Sequence, residues 1–143
     1  MTEAFWDNAL LFKGAYDQIL DPVAQRWSLT RMELDLLLFL ANNPARNTAA
    51  EAVRLRQWTK SHVSAAVHAL QDKGLLSAAH PEGNRKTLLL TPLPAAGEPI
   101  RHGQAAQRTF FQAMRRGFTP EEEQVLEAIS EKIARNIRGT MKK

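Results

Sequence analysis

The sequence predicts a mainly α-helical fold with a small β-hairpin, and three observations support this fold class. Apolar residues recur at the three- and four-residue spacing of amphipathic helices through most of the chain. Threonines at positions 30 and 48 are each followed three positions later by glutamate, a typical helix start. Near the middle, two short apolar segments flank the turn-rich tetrapeptide at residues 81–84, which is typical of a hairpin.

The first three helices are predicted from their apolar spacing and their stop signals. Helical spacing covers residues 4–20, and Asp21-Pro22 is expected to end or kink that helix. A central helix begins after Thr30, carries a nearly continuous apolar run, and stops at Asn-Asn-Pro in residues 42–44. A small third helix follows Thr48, because its apolar face is short and weak.

The fourth helix and the hairpin occupy residues 59–91. The helix begins at Thr59, has an apolar stripe at i, i+3, i+4 and i+7 from Val63 onward, and is ended by Gly74. Two short strands are expected on either side of the turn at residues 81–84.

The last part of the chain contains a connector and two further helices. Residues 92–99 hold three prolines and a glycine, so we expect a connector there, followed by a basic helix from about residue 100 to 117. Thr119 is the expected N-cap of the last helix, Pro120 occupies its first position, and the glutamates at 121–123 complement the helix dipole.

Composition narrows the class of protein. The chain has 143 residues, the size of one domain, and a formal net charge of +4. Residues 46–86 carry seven basic and three acidic groups, which suits a polyanionic partner, although an unevenly charged solvated surface gives the same counts. The absence of cysteine excludes disulfides and thiolate zinc sites. No apolar run reaches the ~18 residues of a membrane span, and the N-terminus is acidic where a secretory signal is basic, so we expect no membrane partner and a cytoplasmic location.

The third and fourth helices, joined by three residues, form a helix-turn-helix pattern, and the hairpin after them reads as a wing. In such a motif the second helix enters the DNA major groove by its N-terminal end. The segment from Thr59 has small polar and basic groups at this end and an apolar face behind them. A basic wing tip can enter the minor groove. The candidate DNA contacts are Thr59, Lys60, Ser61, His62, Ser64, Ala65, Arg85 and Lys86.

Each of these residues also has an ordinary structural interpretation. Thr59 can be only a helix cap, the polar residues after it can face water, and Arg85 and Lys86 can simply keep a turn soluble. Taken together with the short preceding helix and the following hairpin, the residues favour DNA binding.

The sequence resembles the MarR family of bacterial winged-helix transcriptional regulators. The matching segments are LTRMELDLLLFLANNP, TKSHVSAAVHALQDKGLL, NRKTLLLT and FTPEEEQVLEAI. In this family they are the second helix, the recognition helix, the wing with its returning strand, and the last helix. The resemblance extends from about residue 5 to residue 138.

The resemblance implies a homodimer that binds a palindromic operator in double-stranded DNA. Within one domain of residues 1–143, we assign residues 30–95 to the winged helix-turn-helix lobe, and residues 1–29 and 96–143 to a helical dimerisation region. The resemblance also implies a site for a small-molecule effector between these two regions.

Three features depart from the family pattern. The wing has Asn84-Arg85-Lys86 where the family usually has Asp before its arginine. Ala65 stands where many relatives have a larger polar or basic residue. After Leu90-Thr91 the family usually reaches its glycine sooner, whereas this chain continues with Pro-Leu-Pro-Ala-Ala-Gly.

The residues themselves also favour a dimer, since the helices at the two chain ends carry more apolar side chains than a lobe of about 65 residues can cover. A monomer in which these helices cover one another is the alternative. The candidate dimerisation residues are Phe5, Phe12, Phe110, Phe111, Ile129, Ile133 and Ile137. The candidate effector contacts are Trp6, Tyr16, Trp27 and Phe39, which can equally be plain core residues.

Neither a cofactor nor an enzymatic activity is expected. His62 and His68 are separated by about 240° around a helix and cannot share a metal, and no H-E-x-x-H spacing occurs. No nucleophile motif or phosphate-binding glycine loop is present. We therefore expect a dimeric transcriptional regulator, most simply a repressor released by a small ligand. The alternative is a winged-helix module that binds proteins and not DNA.

Overall fold

The computed structural model describes residues 3–141 and confirms the mainly α fold with a small hairpin. The elements in chain order are α1 (Glu3–Arg26), α2 (Arg31–Asn42), α3 (Ala49–Arg56), α4 (Lys60–Asp72), β1 (Leu76–Ala79), β2 (Leu89–Pro92), α5 (Gly97–Met114) and α6 (Pro120–Met141), with a short 3-10 turn at Pro94–Ala96. The chain forms two compact units, one that runs to residue 108 and one that begins at residue 109.

The core of the first unit is built around α2, because this helix is apolar on nearly every side. All five residues from Leu36 to Leu40 are buried. The predicted stripe of α4 faces the same core, and Leu76 and Leu90 extend the core into the hairpin. Burying a leucine completely contributes about 1.5–3 kcal/mol, so this cluster dominates the stability of the unit.

The start of α2 confirms the predicted capping box. Glu33 N donates to Thr30 Oγ1, and the Glu33 carboxylate accepts from Thr30 N. Leu29 before the cap and Leu34 after it are both buried, as expected of a hydrophobic staple.

Of the two outcomes predicted at Asp21-Pro22, an end or a kink, the end is wrong, because α1 continues through Pro22 to Arg26. Leu20 and Ala24 are both buried on either side of the proline, and their packing outweighs the backbone hydrogen bond that Pro22 cannot make. The helix ends instead where Ser28 takes a positive φ of 56°. There Leu29 N donates to Ala24 O and Ser28 N donates to Gln25 O, the Schellman pattern of bonds.

The hairpin is antiparallel, as predicted, and pairs Leu76 with Pro92 and Ala79 with Leu89. Its returning strand also contacts the start of α3. Ala49 N donates to Leu88 O at 3.1 Å, and Leu90 N donates to Asn47 O at 2.8 Å. These bonds tie the wing to the helix-turn-helix and limit how far the two can move apart.

The predicted connector at residues 92–99 is partly wrong. Pro92 belongs to β2, and α5 begins at Gly97, three residues before the expected start. Pro99 is the third residue of the helix, where its missing N–H costs nothing because the first four N–H groups of a helix have no partner within it. The helix also stops at Met114, before Gly117, which has a φ of +82°.

In the second unit, α6 begins as predicted after Thr119. Glu122 N donates to Thr119 Oγ1 and Thr119 N donates to the Glu122 carboxylate, so the helix has a full capping box that the sequence analysis did not predict. No described residue of α6 is buried in the single chain.

Gly103 of α5 faces Leu38 of α2, and its replacement by alanine is expected to destabilise the protein. An added Cβ would lie 2.8 Å from Leu38 Cδ2 and 3.0 Å from Leu38 Cδ1. Because Leu38 is itself buried, its side chain has no free space to move into. We expect Gly103→Ala to lower the free energy of unfolding by about 1–3 kcal/mol, measured by urea denaturation.

Gly14→Ala is the matched control for this prediction. Gly14 is also inside a helix, but nothing lies within 4 Å of the position of an added Cβ. Alanine there is expected to raise stability by up to about 1 kcal/mol through its higher helix propensity. Equal effects of the two substitutions would show that the contact with Leu38 is unimportant.

Candidate nucleic-acid interface

The helix α4 has two contrasting faces. Val63, Ala66, Val67 and Leu70 are buried. The residues predicted to contact DNA on this helix and at the wing are all exposed; they are Thr59, Lys60, Ser61, His62, Ser64, Ala65, Arg85 and Lys86. All eight side chains are therefore accessible to a partner, and the buried stripe packs the opposite face of α4 against the core.

Thr59 is the N-cap of α4, as predicted. Its Oγ1 accepts from His62 N at 3.1 Å and lies 3.2 Å from Ser61 Oγ. The hydroxyl of Thr59 is thus used for capping and is bonded to Ser61, which leaves Lys60 as the first side chain of the helix without a hydrogen bond in the described structure. The first turn of α4 contains no acidic residue, so the positive end of its dipole is not neutralised from within the helix.

The turn between α3 and α4 is fixed by an unusual backbone conformation at Gln57. This residue is the C-cap of α3 and has a left-handed φ of 58°. Its Nε2 donates to Arg54 O at 2.8 Å, which holds the turn closed. On the inner side, Trp58 packs edge-on against Phe39, and the Arg56 guanidinium lies 5.0 Å from the Phe39 ring centre. The angle between the two helices is therefore set by both local and core contacts.

The C-terminal end of α4 is anchored by Lys73, a residue that the sequence analysis did not single out. Lys73 Nζ lies 2.5 Å from Glu33 Oε1 and donates to Ser28 O at 2.9 Å. The Glu33 side chain is only 7% exposed, so its charge depends on this partner. Glu33 was predicted only as a capping residue, and no local sequence signal shows that a lysine 40 positions later reaches it.

Further basic residues lie on and before α3. Arg54 and Arg46 pair with the Glu51 carboxylate at 2.7 Å and 3.4 Å. The hydrogen bond from Arg54, with a smaller one from Arg46, lowers the pKa of Glu51. Glu51 N donates to Thr48 Oγ1 as predicted, whereas its carboxylate pairs with these arginines. Glu51 consequently offsets part of the positive charge of α3.

The four candidate effector residues lie in different surroundings. Trp6 is 64% exposed, and Phe39 is buried in the core of the first unit. Trp27 is partly buried, with its ring centre 4.8 Å from that of His102. Tyr16 lines a cavity of about 420 Å³ between α1 and α2, together with Phe12 and five charged residues.

The charged part of this cavity is organised around Arg31. Its Nη1 donates to Asp17 and Asp21 of α1 at 2.8 Å and 2.9 Å, and its Nε donates to Asp35 of α2. Burial opposes the charge of Arg31, but the surrounding carboxylates outweigh burial and raise its pKa above the ordinary value. Burial raises the pKa of Asp35, while hydrogen bonds from Lys13 and Arg31 lower that of Asp17. Arg31 thus links α1 to α2 as a fixed cation.

The candidate dimerisation residues are mostly exposed in the single chain. Exposed fractions range from 37% for Ile133 to 54% for Ile137, whereas Phe110 is 7% exposed and already buried. The other members are Phe5, Phe12, Phe111 and Ile129. Exposure of so many large apolar side chains is costly in water and is typical of an interaction surface.

Over residues 3–141, no group of three or more acidic, histidine or cysteine side chains could hold a metal ion. Within the same residues, none of the helices has the length and apolar character needed to span a membrane.

This chain was compared with protein-family models and with solved structures, and both comparisons match the MarR family fold. A model of the MarR family matches residues 27–86. A Listeria monocytogenes protein assigned to the MarR transcriptional regulators, solved with a 26mer DNA, superposes with a TM-score of 0.83 at 20% identity, covering 96% of this chain and 90% of that one. A MarR protein from Peptoclostridium difficile gives a TM-score of 0.81 at 18% identity, with 97% and 90% covered.

A third similar structure is Sco3205, a MarR family transcriptional regulator from Streptomyces coelicolor in complex with DNA. Its TM-score is 0.73 at 20% identity, covering 94% of this chain and 86% of that one. A search among curated protein sequences finds no match. Over residues 27–86 the family match confirms the resemblance inferred from the sequence, and the similar solved structures share the fold of nearly the whole chain.

Proposed function

We propose that this chain, whose residues 27–86 match the MarR family and whose fold is that of MarR regulators, is a homodimeric repressor that binds a palindromic operator. Each protomer inserts the N-terminal end of α4 into a major groove and the wing into the adjacent minor groove. A small ligand then releases the protein from DNA.

The observation that carries this proposal is the division of α4 into a buried apolar face and an exposed polar one. A helix that only supports a core has no use for an exposed N-terminal end that is basic and rich in hydroxyl groups. Lys60 can reach a phosphate or a guanine edge, and Ser61 and Ser64 can donate to bases without blocking close approach. The Listeria and Streptomyces proteins, which share this fold, were solved in complex with DNA, and this supports DNA binding by the present chain.

A dimer is supported by the apolar side chains that the single chain leaves in water. On α6, Val125, Ile129 and Ile137 are each more than half exposed. A symmetric pair of chains would bury such faces and would present two copies of α4 to one duplex. Two-fold symmetry in the protein then requires a palindromic site.

Ligand control is supported by the cavity between α1 and α2. A ligand seated there would compete for the bonds of Arg31 with Asp17 and Asp21, which join the two helices. Changing these bonds would change the angle between α1 and the DNA-binding lobe. Because a dimer held on promoter DNA excludes polymerase, repression is the expected outcome of binding.

The function is tested by selecting bound fragments from genomic DNA with the purified protein. The expected result is a palindrome with half-sites about one helical turn apart. The affinity for that site should fall with salt, with a slope of about −0.9 per phosphate contact. Absence of duplex binding at low salt would contradict the proposal and would favour a protein-binding module.

The double variant Lys60→Ala/Arg85→Ala is expected to bind the selected operator at least tenfold more weakly, as removal of one groove contact costs about 1–3 kcal/mol. Its salt dependence should also be shallower, because fewer phosphates are neutralised. Fluorescence anisotropy across a salt series measures both effects.

The control is Lys132→Ala/Arg135→Ala, which removes the same two charges from exposed positions on α6. It should bind DNA almost as the unaltered protein does. If both double variants lost affinity equally, net charge alone would explain the effect and the specific roles of Lys60 and Arg85 would be refuted.

A further inference from the structure

The wing loop between β1 and β2 is folded by two consecutive turns. Asn84 N donates to Pro81 O at 3.0 Å, and Gly83 has the positive φ of 76° that a type II turn requires at its third position. Immediately afterwards, Asn84 Oδ1 accepts from Lys86 N at 3.0 Å and from Thr87 N at 3.2 Å. Arg85 therefore lies at the apex of a turn that the side chain of Asn84 closes.

Two further bonds hold this second turn in place. Asn84 Nδ2 donates to Thr87 Oγ1 at 2.8 Å. At the base of the loop, His80 Nδ1 lies 2.8 Å from Thr87 O, where the ring nitrogen is the donor because a carbonyl can only accept. The two backbone N–H groups facing Oδ1 also fix which end of the Asn84 amide is oxygen. Thr87 is thus bonded from three directions and anchors the turn.

We propose that Asn84 is the positioning residue of the wing: its neutral amide holds Arg85 at the loop apex in the orientation that enters the minor groove. This inference rests on the proposed function in DNA binding. Without the amide, the loop loses two hydrogen bonds from the backbone N–H groups of Lys86 and Thr87 and one to the Thr87 hydroxyl, and it samples other conformations. Arg85 then has to be ordered at the moment of binding, and the affinity decreases by the entropy of that ordering.

The Asn84 side chain carries no charge, and this also affects the net charge of the wing loop. Residues 80–88 contain one acidic residue, Glu82, and two basic residues, Arg85 and Lys86. Their formal net charge is +1 with histidine neutral. An aspartate at position 84 can accept the same two backbone bonds, but it would reduce the charge of the loop to zero beside a polyanion. The departure from the family's aspartate is therefore compatible with a well-ordered wing and gives a more positive one.

The experiment is a double-mutant cycle between Asn84→Ala and Arg85→Ala, read by affinity for one fixed operator duplex. In the unaltered background, Arg85→Ala should weaken binding roughly tenfold. In the Asn84→Ala background, the same change should weaken binding less than about threefold, because Arg85 is no longer held in place. With Asn84→Asp the tenfold effect of Arg85→Ala should persist, since the turn is still closed.

Lys60→Ala is the control, because Lys60 lies on α4 and not in the loop. Its effect should be the same with and without Asn84→Ala. Amide hydrogen exchange of Lys86 and Thr87, measured without DNA, should be faster in Asn84→Ala and nearly unchanged in Asn84→Asp.

Each outcome bears on a different claim. Additive effects of Asn84→Ala and Arg85→Ala, while Lys60→Ala still weakens binding, would overturn the role of Asn84 and leave the proposed function intact. Unchanged amide exchange in Asn84→Ala would also overturn it. Failure of the unaltered protein to bind any duplex would overturn the proposed function, and the role of Asn84 with it.

Discussion

Ile129→Glu/Ile133→Glu is expected to convert the proposed dimer into a monomer and to reduce its operator affinity by about 10²–10⁴-fold. The two side chains are 51% and 37% exposed in the single chain, one helical turn apart on the apolar face of α6. Glutamate at these positions costs the isolated chain little, but it would bury two charges in a dimer interface. A monomer binds one half-site without the effective concentration that a linked second lobe supplies, which accounts for the lost affinity.

Sedimentation equilibrium measures this change directly. The variant should sediment with the 16.1 kDa mass of one chain at concentrations where the unaltered protein has twice that mass. Circular dichroism should show unchanged helix content, because glutamate is a better helix former than isoleucine.

The control is Gln124→Glu/Ala128→Glu, which adds the same charge at the same spacing on the opposite side of α6. Both residues are exposed. This variant should remain dimeric. If the isoleucine variant also stayed dimeric, the apolar face of α6 would not be the interface, and the dimer would have to form through other residues.

Lys73→Met is expected to lower the free energy of unfolding by about 3 kcal/mol, the lower end of the range for breaking a buried ion pair. The substitution keeps the apolar stem and removes the ammonium that lies 2.5 Å from the Glu33 carboxylate. Glu33 then retains a nearly buried charge with only the N-cap bond to Thr30 N. Lys73 is itself 37% exposed, so water can reach part of the site and reduce the loss.

Chemical denaturation of three variants separates the ion pair from simple packing. Lys73→Met should shift the urea midpoint without changing the m value. Glu33→Gln/Lys73→Met should recover much of the loss, because the amide can still accept from Thr30 N and carries no charge to desolvate. If the double variant were as unstable as Lys73→Met alone, the uncompensated charge would not be the cause.

The Glu33–Lys73 pair also has a functional consequence. It joins the N-terminal end of α2 to the C-terminal end of α4, the proposed recognition helix, so its loss would allow α4 to shift against the core. Such a change would weaken DNA binding without touching a DNA contact. Lys73 and Arg31 therefore add polar contacts to the apolar packing that positions α4 and α1 against α2.

Much of the fold follows from interactions between residues that are no more than about four positions apart. The sequence alone determines these local interactions. Threonine caps at 30, 48, 59 and 119, the buried stripe of α4 and the turn at residues 81–84 all depend on near neighbours in the chain. The polar end of α4 and the basic wing are likewise visible in the local sequence. Their use in DNA binding stays a prediction.

The tertiary structure determined the features that depend on residues far apart in the chain. Packing of Leu20 and Ala24 carries α1 through Pro22, against the local preference of the proline. The carboxylates around Arg31 come from positions up to 14 residues away, and Lys73 reaches Glu33 across 40. A sequence shows which charged residues a chain possesses, but only the packed core determines which of them form ion pairs. The reason is that burial of the apolar residues, and not spacing along the chain, brings the charged side chains together.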